Sequence, residues 1–352
     1  MTTFINGRFL TQHTSGVQRF AQEVVKALDV HFQSAPPGED WELAVPPGAL
    51  RGLDLKVIRE RVVGRKSGHL WEQTELWWHS RGGRLVNLCN SGPVMHLASL
   101  TVIHDAMIYR TPQNFSRAYR TLHGTLGHLL ARTSRIATVS EFSRRELLEV
   151  VGVKPVAVIP NSCEHVARVT PDRAVLDRLG LAAKGYLLFV GSPAPNKNLK
   201  AAIAGLERLG ADAPKFVIVG AAQKAVFSGA AEADSSKVIF SGRLSDAEIV
   251  ALYQNAIALL FPSLYEGFGI PPLEAMVLGC PVLSSDIPPV REVCGDTARY
   301  FDARDPEAIA AAVKGFLEHP ETHGEMARRG VAHAAAFSWQ RSAEALLAAQ
   351  HR

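Results

Sequence analysis

The chain has 352 residues, of which 47% are hydrophobic and 20% charged, about twice the length of one ordinary domain with an ordinary globular composition. That excludes a small stapled scaffold, a coiled coil and a mostly disordered protein. The formal net charge is +4, but residues 1–170 hold 20 Lys/Arg against 14 Asp/Glu and the remainder 18 against 20, so the first half, at +6, is the one expected to meet an anionic partner, and the second carries −2.

Cys89, Cys163, Cys280 and Cys294 are scattered, with no CxxC pair and no Cys/His cluster at zinc-ligand spacing, which argues against a disulfide framework or structural zinc and for a reducing compartment. The first residues, Met-Thr-Thr-Phe-Ile-Asn-Gly, lack a basic segment followed by an apolar stretch, and no run of about 18 apolar residues occurs. A cytoplasmic protein that does not span a membrane is expected.

In chain order, Phe4-Ile5-Asn6-Gly7 ends a short strand. A polar turn from Thr11 to Gly16 then opens an apolar-periodic helix through Val17, Phe20, Val24, Val25 and Leu28. Further strands are expected at 85–88, 100–103, 136–139 and 156–159. Pro160-Asn161 closes the last of them, and a boundary is expected between 165 and 185, where Pro171, Gly180 and Gly185 fall. A second series follows at 186–190, 216–219, 238–240, 258–261 and 282–284, with amphipathic helices between. Alternating strands and helices predict two parallel, doubly wound α/β halves whose ligands bind beyond the carboxyl ends of the strands. Seven arginines between 110 and 145 supply most of the basic excess, either as a solvated helical face or as an anion-facing surface.

The most informative stretch runs Phe261-Pro-Ser-Leu-Tyr-Glu266-Gly-Phe-Gly-Ile-Pro-Pro-Leu-Glu274-Ala-Met. Gly267 and Gly269 remove side chains where a ligand must approach the backbone, and the helix that follows offers N–H groups to an anion. Carboxylates on either side of such a loop accept hydrogen bonds from sugar hydroxyls; an acid near a helix start is also favoured by the helix dipole alone.

With its two glutamates eight positions apart, this string resembles the signature of retaining nucleotide-sugar glycosyltransferases of the GT-B fold, family 4. The resemblance spans nearly the whole chain. It takes in Leu70-Trp-Glu-Gln73, His104-Asp105, Thr138-Val-Ser-Glu-Phe-Ser143, Phe189-Val-Gly191 with Lys197-Asn198, Ser241-Gly-Arg243, Leu252-Tyr253, Arg291-Glu-Val293 and Phe337-Ser-Trp339. It implies two Rossmann-like domains facing across a cleft: residues 1–170 binding acceptor, residues 171–335 binding the nucleotide sugar, and a C-terminal helix, 336–352, crossing back to the first domain.

The resemblance implies roles residue by residue. Glu266 contacts the donor sugar hydroxyls and Glu274 the ribose, while the backbone N–H groups of Gly267, Phe268 and Gly269 face sugar and phosphate. Lys197 holds the β-phosphate as it leaves, and charge on that phosphate is the main thing the protein must stabilise. Many relatives carry an arginine next to that lysine or after the glycine, but here Asn196 and Ser192 stand there; Arg243 is the candidate replacement. Gly16 matches a loop that approaches the donor phosphates, and the same segment reads equally as a plain helix cap by Thr14 or Ser15. His104 and Asp105 follow a strand and are expected to point into the cleft, His104 as a catalytic group and Asp105 on donor or acceptor.

No general-base carboxylate with an obvious partner is legible, which fits a front-face retaining mechanism, and no Asp-x-Asp motif calls for a metal or other cofactor. The implied reaction moves a hexose, with mannose from GDP-mannose first and UDP-glucose or another nucleotide sugar as the alternative. Its acceptor is a glycan or polyprenyl-diphosphate-linked hydroxyl of a surface polysaccharide such as lipopolysaccharide. The basic first domain implies peripheral contact with an anionic membrane, and no nucleic-acid partner is implied. Trp71, Trp77 and Trp78 read as packed core, with an acceptor groove or membrane face as the alternative. A non-catalytic nucleotide-sugar-binding protein is the competing function. A Rossmann oxidoreductase is disfavoured because no GxGxxG follows a strand.

Overall fold

A computed structural model describes residues 1–192, 194–220 and 237–351. The chain divides into two units, one of residues 1–162 with 338–352 and one of residues 163–337. The junctions thus lie eight residues before the expected 170/171 and two residues after the expected 335/336.

The first unit is built on a seven-stranded, wholly parallel sheet: β1 (Thr2–Asn6), β2 (Asp40–Val45), β3 (Arg59–Val62), β4 (Arg84–Asn87), β5 (Ser99–Val102), β6 (Arg135–Thr138) and β7 (Ala157–Val158), in the order β3-β2-β1-β4-β5-β6-β7. β1 and β4 are neighbours from which the order runs outward in opposite directions, so the switch point of the sheet lies between Asn6 and Asn87. The helix Gly16–Ser34 buries Phe20, Val24, Val25 and Leu28, the face its apolar spacing marks out.

The C-terminal helix Trp339–His351 belongs to this first unit. Ser342 Oγ donates to the Pro160 carbonyl at 2.6 Å and Gln350 Nε2 to Thr3 Oγ1 at 3.0 Å. Arg135 donates to the carbonyls of Ala349 and Gln350, the placement a cation takes at a helix C-terminus.

The second unit holds a six-stranded parallel sheet: β8 (Tyr186–Val190), β9 (Lys215–Val219), β10 (Val238–Gly242), β11 (Ala258–Phe261), β12 (Val282–Ser285) and β13 (Arg299–Phe301), in the order β10-β9-β8-β11-β12-β13. Its switch point lies between β8 and β11. Leu187, Phe189, Phe216, Ile218, Leu260 and Leu283 pack on the helices Leu199–Glu207 and Pro306–Leu317. Strands buried on both faces read as continuous apolar runs, as parallel sheets require.

All four cysteines are free thiols, and burial pushes Cys163, Cys280 and Cys294 up to about 12. Among the described residues no helix is long and apolar enough to cross a membrane.

Candidate functional site

The switch point of the second sheet carries the best-formed cluster. β8 runs into Gly191, whose φ of +153° suits glycine and where a Cβ would stand 3.3 Å from the Phe189 ring. A 3-10 turn, Pro195–Lys197, follows, closed by Asn198 in the left-handed region at φ +55° with its Nδ2 donating to the Ala303 carbonyl at 2.6 Å. The turn delivers Lys197 Nζ to 2.5 Å from Glu266 Oε1 and 5.4 Å above the Phe261 ring. The two side chains are 16% and 11% exposed, so ammonium and carboxylate meet with little water between them.

Asn196 is buried and holds the two loops together. Its Nδ2 donates to the Tyr265 carbonyl at 3.2 Å and its own carbonyl accepts from Leu264 N–H at 2.7 Å. The side-chain amide makes a short, neutral stitch between the two loops.

After Glu266 the chain turns through Gly269, at φ +115°, into the helix Ile270–Val277. Phe268 is buried with its ring edge-on to Phe337 at 6.0 Å, so only its backbone remains to meet a ligand. The helix start differs from the expectation of a full set of free donors: Pro271 and Pro272 have no N–H, and among its first four residues only Ile270 and Leu273 carry one.

Glu274 lies beyond that first turn, 13% exposed. Tyr253 Oη donates to its Oε2 at 3.1 Å and approaches the Pro271 carbonyl at 3.3 Å, while His165 Nε2 stands 3.4 Å from Oε1. Burial, reinforced by the Glu274 charge, pushes the Tyr253 phenol well up, so it remains a donor. Glu274 is thus fixed by a side chain of the neighbouring helix rather than by the helix dipole.

Arg243 is exposed at the end of β10 and makes no ion pair among the described residues.

In the first unit, Gly16 is the exposed first residue of its helix, with Ser15 as N-cap, whose N–H donates to Gln18 Oε1 at 3.2 Å. Thr14 is engaged elsewhere, accepting from Arg51 Nη1 at 2.7 Å, and Arg51 Nη2 also donates to the Gln12 carbonyl at 3.1 Å. Arg51 brings a guanidinium to this loop that nothing in the local sequence announces.

His104 departs from the expectation of an open catalytic side chain. It is 5% exposed, edge-on to Phe20 at 4.8 Å, with Nε2 donating to the Leu88 carbonyl at 2.9 Å. Burial lowers it to about 4, so the ring is neutral near pH 7 and Nδ1 is its remaining polar atom. Asp105 is partly exposed and its Oδ1 caps the next turn, accepting from Met107 N–H at 2.8 Å. Trp71 is fully buried, as expected of core, but Trp78 is 61% exposed with Arg81 stacked 3.3 Å above it.

A second polar cluster, which the sequence reading missed, occupies the switch point of the first sheet. Asn6 Nδ2 at the end of β1 donates to Asn87 Oδ1 at the end of β4 (3.0 Å) and to Glu72 Oε1 (2.8 Å). Arg8 Nε stands 2.9 Å from the same Oε1 and Ser91 Oγ donates to it at 2.9 Å. Glu72 begins a π-helical turn, Glu72–Leu76, within the motif Leu70-Trp-Glu-Gln73. Burial alone would raise its carboxyl, but the hydrogen bond from His69 and the charge of Arg8 hold it below the usual range. The sequence signal was an acid next to the buried Trp71.

Among the described residues no three His, Cys, Asp or Glu side chains gather as a metal site. Residues 179–333 match the family model of the glycosyl transferases group 1. The chain is 28% identical over 255 residues to O-antigen chain mannosyltransferase B of Escherichia coli, covering 69% of this chain and 67% of that protein. It is 28% identical over 234 residues to the serotype-specific mannosyltransferase WbdA of Escherichia coli, covering 60% of this chain but 28% of WbdA. The crystal structure of WaaG, a glycosyltransferase involved in lipopolysaccharide biosynthesis, superposes with a TM-score of 0.72 at 16% identity, covering 100% of this chain and 99% of WaaG. The fold is that of the GT-B glycosyltransferases.

Proposed function

We propose that this chain, with its glycosyl transferases group 1 match and GT-B fold, is a retaining hexosyltransferase. It moves mannose from GDP-mannose to a hydroxyl of a glycan or polyprenyl-diphosphate-linked acceptor in surface-polysaccharide synthesis. The observation that carries the reading is the Lys197–Glu266 pair at the switch point of the second sheet, with Glu274 fixed by Tyr253 one helical turn further on. The mannose and O-antigen terms are supported by the relatives named above.

In this mechanism Glu274 accepts hydrogen bonds from the ribose hydroxyls and Glu266 from the donor sugar. Lys197 and the backbone N–H groups of 267–270 meet the diphosphate. The bond between the anomeric carbon and the β-phosphate oxygen breaks, and the acceptor oxygen bonds to that carbon from the same face. The acceptor proton passes to the leaving phosphate oxygen, whose charge Lys197 stabilises. This scheme needs no metal and no general-base carboxylate.

The enzyme works at the inner face of the cell membrane without crossing it. Arg117, Arg120 and Arg132 are exposed on the helix Arg117–Thr133 together with Leu122 and Leu129, a basic and apolar face suited to anionic headgroups. The deciding experiment incubates the protein with GDP-mannose and lipid-linked O-chain acceptor in the presence of EDTA. An α-linked mannosyl product is expected, and a β-linked product or strict dependence on added metal overturns the mechanism.

A further inference from the structure

We propose that the first unit carries a glycan-holding site apart from the reaction, at the amino-terminal edge of its sheet, which takes a pyranose ring of a neutral glycan. The inference stands on this unit alone and goes beyond the proposed transfer. The site is a cavity of about 480 Å³ between the end of the helix Gly16–Ser34, the loop 35–39, the first residues of β2 and β4, and the C-terminal helix. A cavity of this size admits a small ligand. β2 is six residues long, which puts roughly 17 Å between this edge and the one where Asn6 and Asn87 end their strands.

Phe32, Trp41 and Leu347 give the cavity its apolar lining, and Glu39 and Arg84 its charges. Three polar groups there have hydrogen-bonding capacity that no described residue takes up. Trp41 is 4% exposed with its ring tilted against Phe32 at 5.1 Å, yet its indole Nε1–H donates to no acceptor among the described residues. A buried indole N–H ordinarily has a partner. Glu39 Oε1 accepts from Thr3 Oγ1 at 2.7 Å, and Gln350 Nε2 donates to the same Thr3 hydroxyl, so the carboxylate is fixed from the C-terminal helix. Its Oε2 takes no hydrogen bond among the described residues. Arg84 Nη1 stands 3.6 Å from Glu39 Oε1, and the guanidinium makes no hydrogen bond among the described residues.

The charges select the ligand. Because Arg84 and Glu39 lie side by side, a phosphate or carboxylate that meets the guanidinium also meets the carboxylate, and a cation meets the reverse repulsion. A hydroxyl both donates and accepts. Neighbouring hydroxyls of one sugar therefore satisfy all three groups, accepting from Arg84 and from Trp41 Nε1 and donating to Glu39 Oε2. The apolar C–H face of the ring packs on Phe32 and Leu347. A neutral ring rich in hydroxyls and apolar on one face is the chemistry this set fits.

The test is saturation-transfer NMR of the full chain with methyl α-D-mannoside, glucoside, galactoside and N-acetylglucosaminide, and with mannose 6-phosphate as the charged probe. It is run on the wild type, on Arg84→Met and on Glu39→Gln, which is isosteric and keeps the acceptor for Thr3. At least one methyl glycoside is expected to bind the wild type, and more tightly than mannose 6-phosphate. Each substitution weakens it about tenfold, while the melting temperature and the affinity for GDP stay as in the wild type. No glycoside binding to the wild type, binding that survives both substitutions, or tighter binding of mannose 6-phosphate than of any methyl glycoside overturns the site. Failure of the wild type to bind GDP is a separate result that counts against the transferase reading alone.

Discussion

Lys197 Nζ and Glu266 Oε1 stand 2.5 Å apart although the two residues are 69 positions apart in sequence. The sheet explains the meeting, because β8 and β11 are hydrogen-bonded neighbours at the switch point and Asn196 ties their loops together. An ammonium and a carboxylate are thereby held on one rigid base, and the proposed mechanism assigns them to the leaving phosphate and the sugar hydroxyls.

Removing the carboxylate of this pair should therefore damage turnover far more than nucleotide binding. Glu266→Ala is expected to lower kcat by about 100-fold or more, with GDP affinity within a few-fold of wild type. Steady-state transfer assays alongside GDP titration check this, and unchanged turnover would show that the carboxylate does not meet the reacting sugar.

Glu274 should behave in the opposite way. Glu274→Ala is expected to weaken GDP binding by about 10-fold, roughly the worth of a hydrogen bond to a charged group. Tyr253→Phe, which removes the phenol that fixes the carboxylate, should produce a smaller loss in the same direction. Equal effects on GDP and on free guanine base would contradict a ribose contact.

His104 makes a pH prediction. The folded protein holds this ring neutral down to about pH 4 because burial disfavours its cation, while the unfolded chain takes up a proton near pH 6.5. Between these values the unfolded state binds more protons, so the contribution is complete above pH 6.5 and is lost as pH falls toward 4. Thermal unfolding of wild type and His104→Asn across pH 4–7 should show a flatter slope in the variant; parallel slopes would mean that the buried ring does not resist protonation.

Vesicle binding tests the membrane term. Co-sedimentation with phosphatidylglycerol vesicles should fall steeply as salt rises and should weaken several-fold in an Arg117→Glu, Arg120→Glu double variant. Binding that is indifferent to both would exclude this helix as the contact.

Much of the architecture was legible in residue pattern. Tyr186-Leu-Leu-Phe-Val and Ala258-Leu-Leu-Phe are continuous apolar runs and fold as the central strands β8 and β11. β3, Arg-Glu-Arg-Val, was not legible: it is an edge strand with all four residues exposed, so it shows no apolar periodicity. β2 and the three-residue β13 were missed as well.

The site was legible where backbone conformation demands particular residues. Gly269, at φ +115°, is such a position. What the sequence did not show were contacts made across the fold: Tyr253 on Glu274, Asn196 on the Tyr265 carbonyl, and Arg8 with Asn6 on Glu72. His104 illustrates the converse, since its position after a strand suggested an open side chain, yet Phe20 and the Leu88 carbonyl enclose it.

The central claim is that the second unit binds a nucleoside diphosphate sugar through Lys197 and Glu274. The direct measurement is thermal stability of the full chain with GDP, UDP, ADP and dTDP. GDP at 100 times its dissociation constant should add about 2.7 kcal/mol, and the same GDP concentration should add markedly less in Lys197→Ala and in Glu274→Ala. No stabilisation by any of the four, or a GDP shift unchanged in both variants, would contradict the account.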